Sequence, residues 1–246
     1  MIVGNVLGLL GVGLAAGVVS TVVSLASIVS YPALLAFGLP PLTANVTNTV
    51  ALAFTGVGAA AGSRPELAGE GRRMLRLGPI AALGGAAGAL LLLVTPARTF
   101  ELIAPWLIAM ASLLLVRPPS GGGRGEHGTL GRIALFAVTC YTGYFGAAGG
   151  ILLFALLAAM FDHPAAKLNA MKNVLSGLAN AVAAVGFALF GPVDWSAALP
   201  LAAGFLLGGW VGPKIARRLP GHSLRHLAAA CGLAVALKLG WDSYAG

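Results

Sequence analysis

The sequence contains few charged residues for its length. Only 9% of its 246 residues are Asp, Glu, Lys or Arg, whereas a soluble domain carries roughly 25% to keep its surface wetted. Hydrophobic residues make up 58% of the chain, and the mean hydropathy is +0.92. The 36 glycines suit membrane helices, which small residues allow to pack closely. Composition therefore excludes an ordinary soluble domain and predicts an all-α, polytopic membrane protein.

Groups that could perform chemistry inside a membrane are scarce as well. The seven acidic residues lie in predicted loops or tails, or at a helix start, and are Glu66, Glu70, Glu101, Glu126, Asp162, Asp194 and Asp242. The four histidines also lie in loops or at segment ends, and the two cysteines belong to no CxxC or Cys/His cluster. These absences argue against a carboxylate proton relay, a metal site and an intramembrane enzyme. We expect no cofactor.

Positive charge is in excess, but it is dispersed. The net charge is +8, and the basic residues lie in short loops without an aromatic-interleaved patch, which is typical of cytoplasmic loops in membrane proteins. We therefore expect the lipid bilayer, and no nucleic acid, as the surroundings of this chain. No Lys or Arg precedes the first apolar run, so we expect that run to be retained rather than cleaved as a signal peptide.

The apolar runs fall into two similar halves. In chain order they are 4–23, 25–38, 43–62, 77–95, 99–116, 131–147, 149–161, 166–190, 196–213 and 222–241. The second and seventh runs are short, contain or adjoin Ser, Gly or Pro, and each precedes a long run studded with polar residues. Residues 117–130 form the one linker, near the midpoint. We predict an N-terminal repeat over 1–116 and a C-terminal repeat over 131–246, integrated into one transmembrane domain.

Charge placement predicts the orientation of these repeats. Three basic clusters belong in the cytoplasm by the positive-inside tendency: Arg64, Arg72, Arg73 and Arg76; Arg117, Arg124 and Arg132; Lys214, Arg217, Arg218 and Arg225. They share one side only if each short run returns the chain, by crossing or by re-entering. The prediction is two inverted repeats, with eight full transmembrane helices plus two short elements. Both termini are then outside a bacterial inner membrane.

The one clear case of a charged residue inside a run is Lys172, about one and a half turns inside 166–190. Intramembrane charges are functional candidates, although a later helix start would place Lys172 in a loop. Lys167, nearer the start, is expected to snorkel to the interface. One polar helix face borders Lys172 and consists of Asn169, Asn173, Ser176 and Asn180.

A similar polar group occurs in the first half. It contains Asn45, Thr47 and Asn48, with Thr47 as the counterpart of Lys172 at an offset of 125 residues. The short elements are expected to add amide donors near Ser24 and near Gly149 and Gly150, and Tyr144 borders the second element. Lysine, amides and hydroxyls together suit a small oxyanion. The alternative is that these polar groups only join helices to one another.

Three stretches carry a resemblance to a known family: Tyr31-Pro-Ala-Leu-Leu-Ala-Phe-Gly38-Leu-Pro-Pro-Leu-Thr-Ala-Asn45-Val-Thr-Asn48, Tyr141-Thr-Gly-Tyr-Phe-Gly-Ala-Ala-Gly-Gly150, and Leu168-Asn-Ala-Met-Lys-Asn173-Val-Leu-Ser-Gly-Leu-Ala-Asn180. In their order and spacing the chain resembles the TauE/SafE sulfite exporter family over essentially its whole length. The resemblance implies transport of a small inorganic or organosulfur anion, such as sulfite or a sulfonate. The chain departs from the family's glycine-rich first element, where it has Ser24-Leu-Ala-Ser27.

Other functions stay open at this point. They are a channel or carrier for another small anion or metabolite, a membrane subunit that transports nothing, and, with less support, an intramembrane enzyme. For an anion, we expect export by a facilitated route, because an interior-negative potential contributes about 2.3 kcal/mol per charge per 100 mV in the outward direction.

Overall fold

The computed structural model describes residues 2–24, 26–116, 128–145 and 149–216, together with the single residues 233, 237 and 241. No strand occurs in these ranges, and ten helices do: α1 Ile2–Val23, α2 Ala26–Ala36, α3 Pro41–Gly62, α4 Arg64–Leu67, α5 Gly71–Val94, α6 Ala97–Val116, α7 Thr129–Tyr144, α8 Gly149–Met160, α9 Ala165–Phe190 and α10 Trp195–Ala216. Nine of them correspond to the first nine apolar runs. Most of the linker 117–130 and most of the tenth run, 222–241, lie outside the described residues.

Helix length and hydropathy separate two kinds of apolar helix. Four described helices are long and apolar enough to cross a membrane, namely α1 within Asn5–Val22, α5, α9 and α10. The short elements α2 and α8 have 11 and 12 residues. At 1.5 Å per residue they reach about 16–18 Å, which is well below the ≈ 30 Å of a hydrocarbon core.

The helices pack as two units. The first unit contains α1, α2, α3 and α10, and the second contains α5, α7, α8 and α9. Small residues make the contacts, because a side chain at Gly13 or Gly17 of α1 would collide with the backbone of α10 around Gly204 or Gly208. The second unit also requires a residue without a side chain at its helix contact, because Gly88 of α5 meets the backbone of α7. Close backbone approach is how lipid-embedded helices gain packing energy.

The order of contacts gives the direction of each helix. Along α1 and α10 the contacting positions rise together, so these helices are parallel, and α3 follows α10 in the same sense. In the second unit α5, α7 and α9 are likewise parallel to one another. The two units run in opposite directions: Gly56 of α3 packs on Gly177 of α9, while Val46 lies near Gly191. Since α1 and α3 are parallel, α2 and the adjoining turns must return the chain between them.

These directions bring most of the described basic residues to one end of the bundle, here called the basic end. Arg98, at the start of α6, lies at the other end, where α5 finishes. The end of α3 leads through α4 to the start of α5, so Arg64 and Arg72 lie there. The starts of α7 and α9 also lie at that end because both are parallel to α5, and α10 finishes there because it is parallel to α3. Arg132 and Lys214 therefore share the end with Arg64.

The Gly56–Gly177 contact predicts a sharp sensitivity to one methyl group. We expect Gly56→Ala to lower the stability by about 1–3 kcal/mol, because its Cβ would overlap the backbone of Gly177 and force α3 and α9 apart. Gly11→Ala is the matched control, since a Cβ at Gly11 of α1 meets nothing within 4 Å and alanine favours helix. Thermal unfolding of both variants in lipid nanodiscs tests this. Equal tolerance of the two would contradict the close crossing.

Candidate functional site

A small cavity lies between the two units, beside the crossing of α3 and α9. The space open to the centre of a water molecule is about 30 Å³, which is room for about two or three waters. The polar lining residues are Ser20, Ser24, Ser27, Thr55, Lys172, Asn173, Ser176 and Asn180. The others are small or aliphatic: Ala26, Leu52, Gly56, Ala59, Gly150 and Gly177. Because each unit supplies one wall, movement between the units would reshape the cavity.

Lys172 is the charged residue of the cavity wall. It lies in the second turn of α9 and its exposure is 2%. Its Nζ donates to Ser24 Oγ at 2.7 Å and to the Ser20 carbonyl at 3.3 Å, both from the opposite unit. Within the described ranges no carboxylate pairs with it. Neutral oxygens solvate this ammonium only partly, so an anion in the cavity would be strongly stabilising.

Ser24 lies at the break between α1 and α2 in an unusual backbone conformation. Its φ is +66°, in the left-handed region where a glycine is accommodated without strain and other residues are uncommon. A glycine could not accept the hydrogen bond from Lys172. The hydroxyl therefore explains a serine at a position whose backbone favours glycine, at a conformational cost of roughly 1–3 kcal/mol.

Both short helices begin at the cavity. Ala26 and Ser27 form the first turn of α2, and Gly150 belongs to the first turn of α8. First-turn N–H groups have no partner within their own helix and carry the positive end of its dipole. A side chain at Gly150 would collide with Ser24, so glycine lets the start of α8 approach the break in α1. The arrangement presents backbone donors to any anion in the cavity.

Three buried polar atoms of the lining residues have no hydrogen-bond partner in the described part of the chain. They are Thr55 Oγ1, Asn173 Nδ2 and Asn180 Oδ1. Buried polar atoms in folded proteins are almost always satisfied by protein or by ordered water. Their presence on both walls of the cavity, Thr55 on α3 and the two asparagines on α9, indicates that the cavity holds polar occupants.

The structure brings together five of the residues that the sequence singled out. Ser24, Gly150, Lys172, Asn173 and Ser176 line the same cavity. They come from α8, from α9 and from the break between α1 and α2, so their proximity depends on how the two units pack together.

Two further predicted residues lie beside the cavity without lining it. Asn48 Oδ1 accepts a hydrogen bond from the Ser30 hydroxyl at 2.6 Å, and Asn48 Nδ2 donates one to Ser27 Oγ at 3.2 Å. These two bonds hold α2 against α3. Asn169 donates to the Thr21 carbonyl of α1 at 2.7 Å. Both side chains hold other elements in place around Lys172.

The remaining predicted residues are not part of the lining. Thr47 Oγ1 accepts from the Asp194 N–H at 3.0 Å, next to the start of α10. The Tyr144 hydroxyl lies 3.5 Å from Thr95 Oγ1, and Gly149 packs closely on Thr142. The structure therefore does not bring Thr47, Tyr144 or Gly149 to Lys172.

Asn45 is also distant from the cavity, but its hydrogen bond repeats that of Asn169. Asn45 Nδ2 donates to the Tyr144 carbonyl in the last turn of α7 at 3.0 Å. Asn169 Nδ2 likewise donates a hydrogen bond to a carbonyl in the last turn of α1, that of Thr21. Each bond joins the two units, and the two bonds flank the Gly56–Gly177 crossing on opposite sides. The two bonds therefore make Asn45 the counterpart of Asn169, at an offset of 124 residues instead of the predicted 125. At an offset of 124, the counterpart of Lys172 is Asn48 and not Thr47.

Comparison with known proteins identifies the family. A family model described as "Sulfite exporter TauE/SafE" matches residues 9–239. The chain belongs to the TauE/SafE family. A "Probable membrane transporter protein" of Xylella fastidiosa (strain 9a5c) is 28% identical and covers 99% of this chain and 93% of its own. "Probable membrane transporter protein ORF9" of Sinorhizobium sp is 26% identical, with 91% and 88% covered.

A third relative, "Probable membrane transporter protein YfcA" of Escherichia coli K12, is 24% identical over 95% of this chain and 88% of its own. No solved structure matches the chain. Family membership and the apolar helices together make this a multi-pass membrane protein of a transporter family.

Sequence reasoning missed several lining residues of this TauE/SafE protein. Ser20, Ser27 and Thr55 were not among the predicted site residues, and Asn180 was noted only as part of a helix face. A signal for Thr55 was present, because Asn48, Leu52, Thr55 and Ala59 follow the same one-face spacing as the polar residues of α9. Ser20 contributes its backbone carbonyl to Lys172, and a pattern of side chains in the sequence cannot predict a backbone contact.

An ion-pair cluster fixes the start of α9 at the basic end. Glu70, which is 4% exposed, contacts Lys167 Nζ at 2.7 Å and also pairs with Arg73. Arg73 lies 2.7 Å from His163 Nε2 and over the Phe161 ring. Burial opposes ionisation of Glu70, but hydrogen bonds from Lys167 and Arg73 outweigh it and hold the pKa of this carboxyl below 4.5. Lys167 therefore pairs with a carboxylate instead of only snorkelling.

This cluster predicts a loss of stability when Glu70 is neutralised. Glu70→Gln should lower the unfolding free energy by about 1–3 kcal/mol, since Lys167 and Arg73 lose their counter-charge. Because the folded pKa lies below the ordinary value, the wild-type contribution is complete above pH 4.5 and is lost as pH falls through the folded pKa.

Thermal unfolding at neutral and acidic pH measures this effect. The control is Asp162→Asn, which removes an exposed carboxylate nearby and should change stability by less than about 0.5 kcal/mol. A Glu70→Gln protein as stable as wild type at neutral pH would show that the cluster contributes nothing.

Proposed function

We propose that this protein transports a small sulfur-containing oxyanion, such as sulfite or a sulfonate, across the bacterial inner membrane through the cavity beside Lys172. The observation that carries the proposal is the buried amino group of Lys172, whose partners within the described chain are neutral oxygens. Backbone donors from two helix starts and an unpartnered Asn173 amide lie on the same cavity. The sulfur chemistry rests on membership of the sulfite exporter family.

The charge of the lining supports an anion over a cation. The cavity contains one ammonium, amides and hydroxyls, and no carboxylate belongs to its described lining. A cation would meet Lys172 without a compensating negative group, which is repulsive in a medium of low dielectric constant. A transporter for another small oxyanion is the alternative that this lining fits best.

For the architecture, we propose two inverted repeats, 1–116 and 131–246. Helices at corresponding chain positions run in opposite directions: α1 against α7, α3 against α9, and α5 against α10. The short helices α2 and α8 occupy corresponding places before α3 and α9. Each repeat contributes one helix, α5 or α10, to the unit built mainly by the other repeat.

The topology that follows has eight crossing helices and two short elements. Residues 222–241 would supply the eighth crossing, and they lie almost entirely outside the described part of the chain. By the positive-inside tendency the basic end faces the cytoplasm, and the N-terminus lies outside, since α1 ends toward the basic end. Export follows from the interior-negative potential acting on a transported anion.

The proposed movement is a rocking of one unit against the other about the Gly56–Gly177 contact. Inverted-repeat transporters alternate access in this way around a mid-membrane site. The hydrogen bond of Asn169 to Thr21 closes the units toward the basic end, and that of Asn45 to Tyr144 closes them on the other side. Alternate breaking of these two bonds would open the cavity to one side at a time.

Sulfite flux from loaded proteoliposomes tests the role of Lys172. Lys172→Met keeps the length of the side chain but removes its charge, so potential-driven efflux should fall at least about tenfold. Lys214→Met is the matched control, because Lys214 is exposed at the basic end and lies over Trp210. Its flux should stay within about twofold of wild type.

The results separate two parts of the proposal. Absence of sulfite flux in folded wild-type protein would contradict sulfite as the substrate. Flux that is unchanged in folded Lys172→Met would leave sulfite transport standing and remove Lys172 from the site.

The paired hydrogen bonds predict opposite effects of two similar substitutions. Asn169→Ala should increase the population that is open toward the basic end, and Asn45→Ala the population that is open toward the other end. Each population should rise by about two- to tenfold, because each variant loses one hydrogen bond. A Ser176→Cys reporter, with Cys140 and Cys231 replaced by alanine, measures this by labelling with an impermeant thiol reagent from each side of oriented vesicles.

Asn48→Ala serves as the control for these variants, because within the described residues the side-chain hydrogen bonds of Asn48 go to α2 of its own unit. It should not bias labelling toward either side. Increased labelling from the same side in both the Asn45 and Asn169 variants would contradict the rocking movement.

A further inference from the structure

We propose that the cavity selects a compact oxyanion carrying one negative charge, and discriminates against dianions of the same size. For sulfite this means the monoprotonated form. This inference rests on the proposed function and specifies the charge and size of its substrate. It derives from the number of charges on the cavity wall and from the way the helix ends meet there.

One basic side chain belongs to the described lining. It is Lys172, which supplies one positive charge when protonated, whereas α1, α2, α3 and α8 contribute only hydroxyls, backbone and small or aliphatic side chains to the wall. The nearest basic side chain on the same helix, Lys167, does not line the cavity and pairs with Glu70 at 2.7 Å. A second positive charge is therefore absent from the described wall.

Helix dipoles do not supply the missing charge. The start of α2, at Ala26, carries a partial positive charge, but the end of α1 at the same break presents the Ser20 and Thr21 carbonyls. The start of α8 likewise follows closely on the end of α7, where Gly149 packs on Thr142. Opposite partial charges of about 0.5 each therefore lie in adjacent pairs and largely cancel. Amide donors remain available, but the net field is that of one lysine.

A monoanion and Lys172 form a neutral pair, whereas a dianion leaves one negative charge uncompensated after losing its water. Such an uncompensated charge is strongly unfavourable at this depth. The cavity volume of about 30 Å³ additionally favours an anion without an organic tail, because it accommodates only about two or three waters.

Three probes of similar size and different charge test this selection. They are methanesulfonate, a monoanion; sulfate, a dianion; and methanesulfonamide, which is neutral at pH 7. Their ability to raise the thermal stability of the protein in nanodiscs reports binding without requiring transport. We expect methanesulfonate to bind, sulfate to bind at least about tenfold more weakly, and methanesulfonamide to give no shift at the same concentrations.

A variant with a second charge provides a matched test. Ser176→Lys adds an ammonium one turn beyond Lys172 on the cavity wall, and should move the binding ratio toward sulfate by about tenfold or more. Ser196→Lys adds the same side chain at an exposed position outside the lining, and should leave the ratio unchanged.

The outcomes distinguish this inference from the function on which it rests. Sulfate binding as tight as methanesulfonate in wild type would overturn the monoanion selection and leave an anion site standing. Folded protein that binds neither anion would overturn both. A preference for methanesulfonate over sulfate that persists in Lys172→Met would also overturn the inference, because the single charge would not be its cause.

Discussion

The burial of one ammonium group without a carboxylate partner is the constraint around which this structure is organised. In the described structure Lys172 is nearly inaccessible, and its hydrogen bonds go to a hydroxyl and a carbonyl at the end of α1. An ammonium at this depth is costly unless neighbouring oxygens solvate it. The break after α1 and the left-handed Ser24 bring such oxygens within reach of Lys172. The arrangement gives the lysine two oxygen partners in the described structure, and the proposed anion would be the third.

Close helix packing makes this geometry possible. Without water to drive helices together, the two units are held by backbone approach at small residues, and their mutual contact passes through Gly56 and Gly177. This contact joins two glycine backbones, while Val46 and Val50 of α3 pack with Phe187 of α9 in one apolar cluster. Lys172 and Asn169 bridge the units on one side of this contact, and Asn45 bridges them on the other. The same interface therefore holds the proposed site and the proposed movement.

The chain uses helix ends as functional groups. The ends of α1 and α7 each lie close to the start of a short helix, α2 or α8. Irregular backbone at membrane depth is tolerated where protein buries it or where it lines a cavity. Here the broken ends supply carbonyls that hold Lys172 and N–H groups that face the cavity. Because these ends have opposite partial charges, they provide hydrogen bonds without adding much net charge.

The sequence by itself determined the membrane class, nine of the helical segments and the two short elements, because hydropathy is a local property. It also singled out Lys172, because an isolated charge within an apolar run is a local feature. Its polar periodicity also identified Asn173 and Ser176, since one helix face can be read from spacing alone. Only the tertiary structure decided that Asn45, Thr47 and Tyr144 do not line the cavity, and that Ser20, Ser27 and Thr55 do. Helical spacing says which residues share a face, but the crossing point of α3 and α9 decides which part of each face meets the other. That crossing is set by a contact between glycines far apart in the chain, and no local pattern records it.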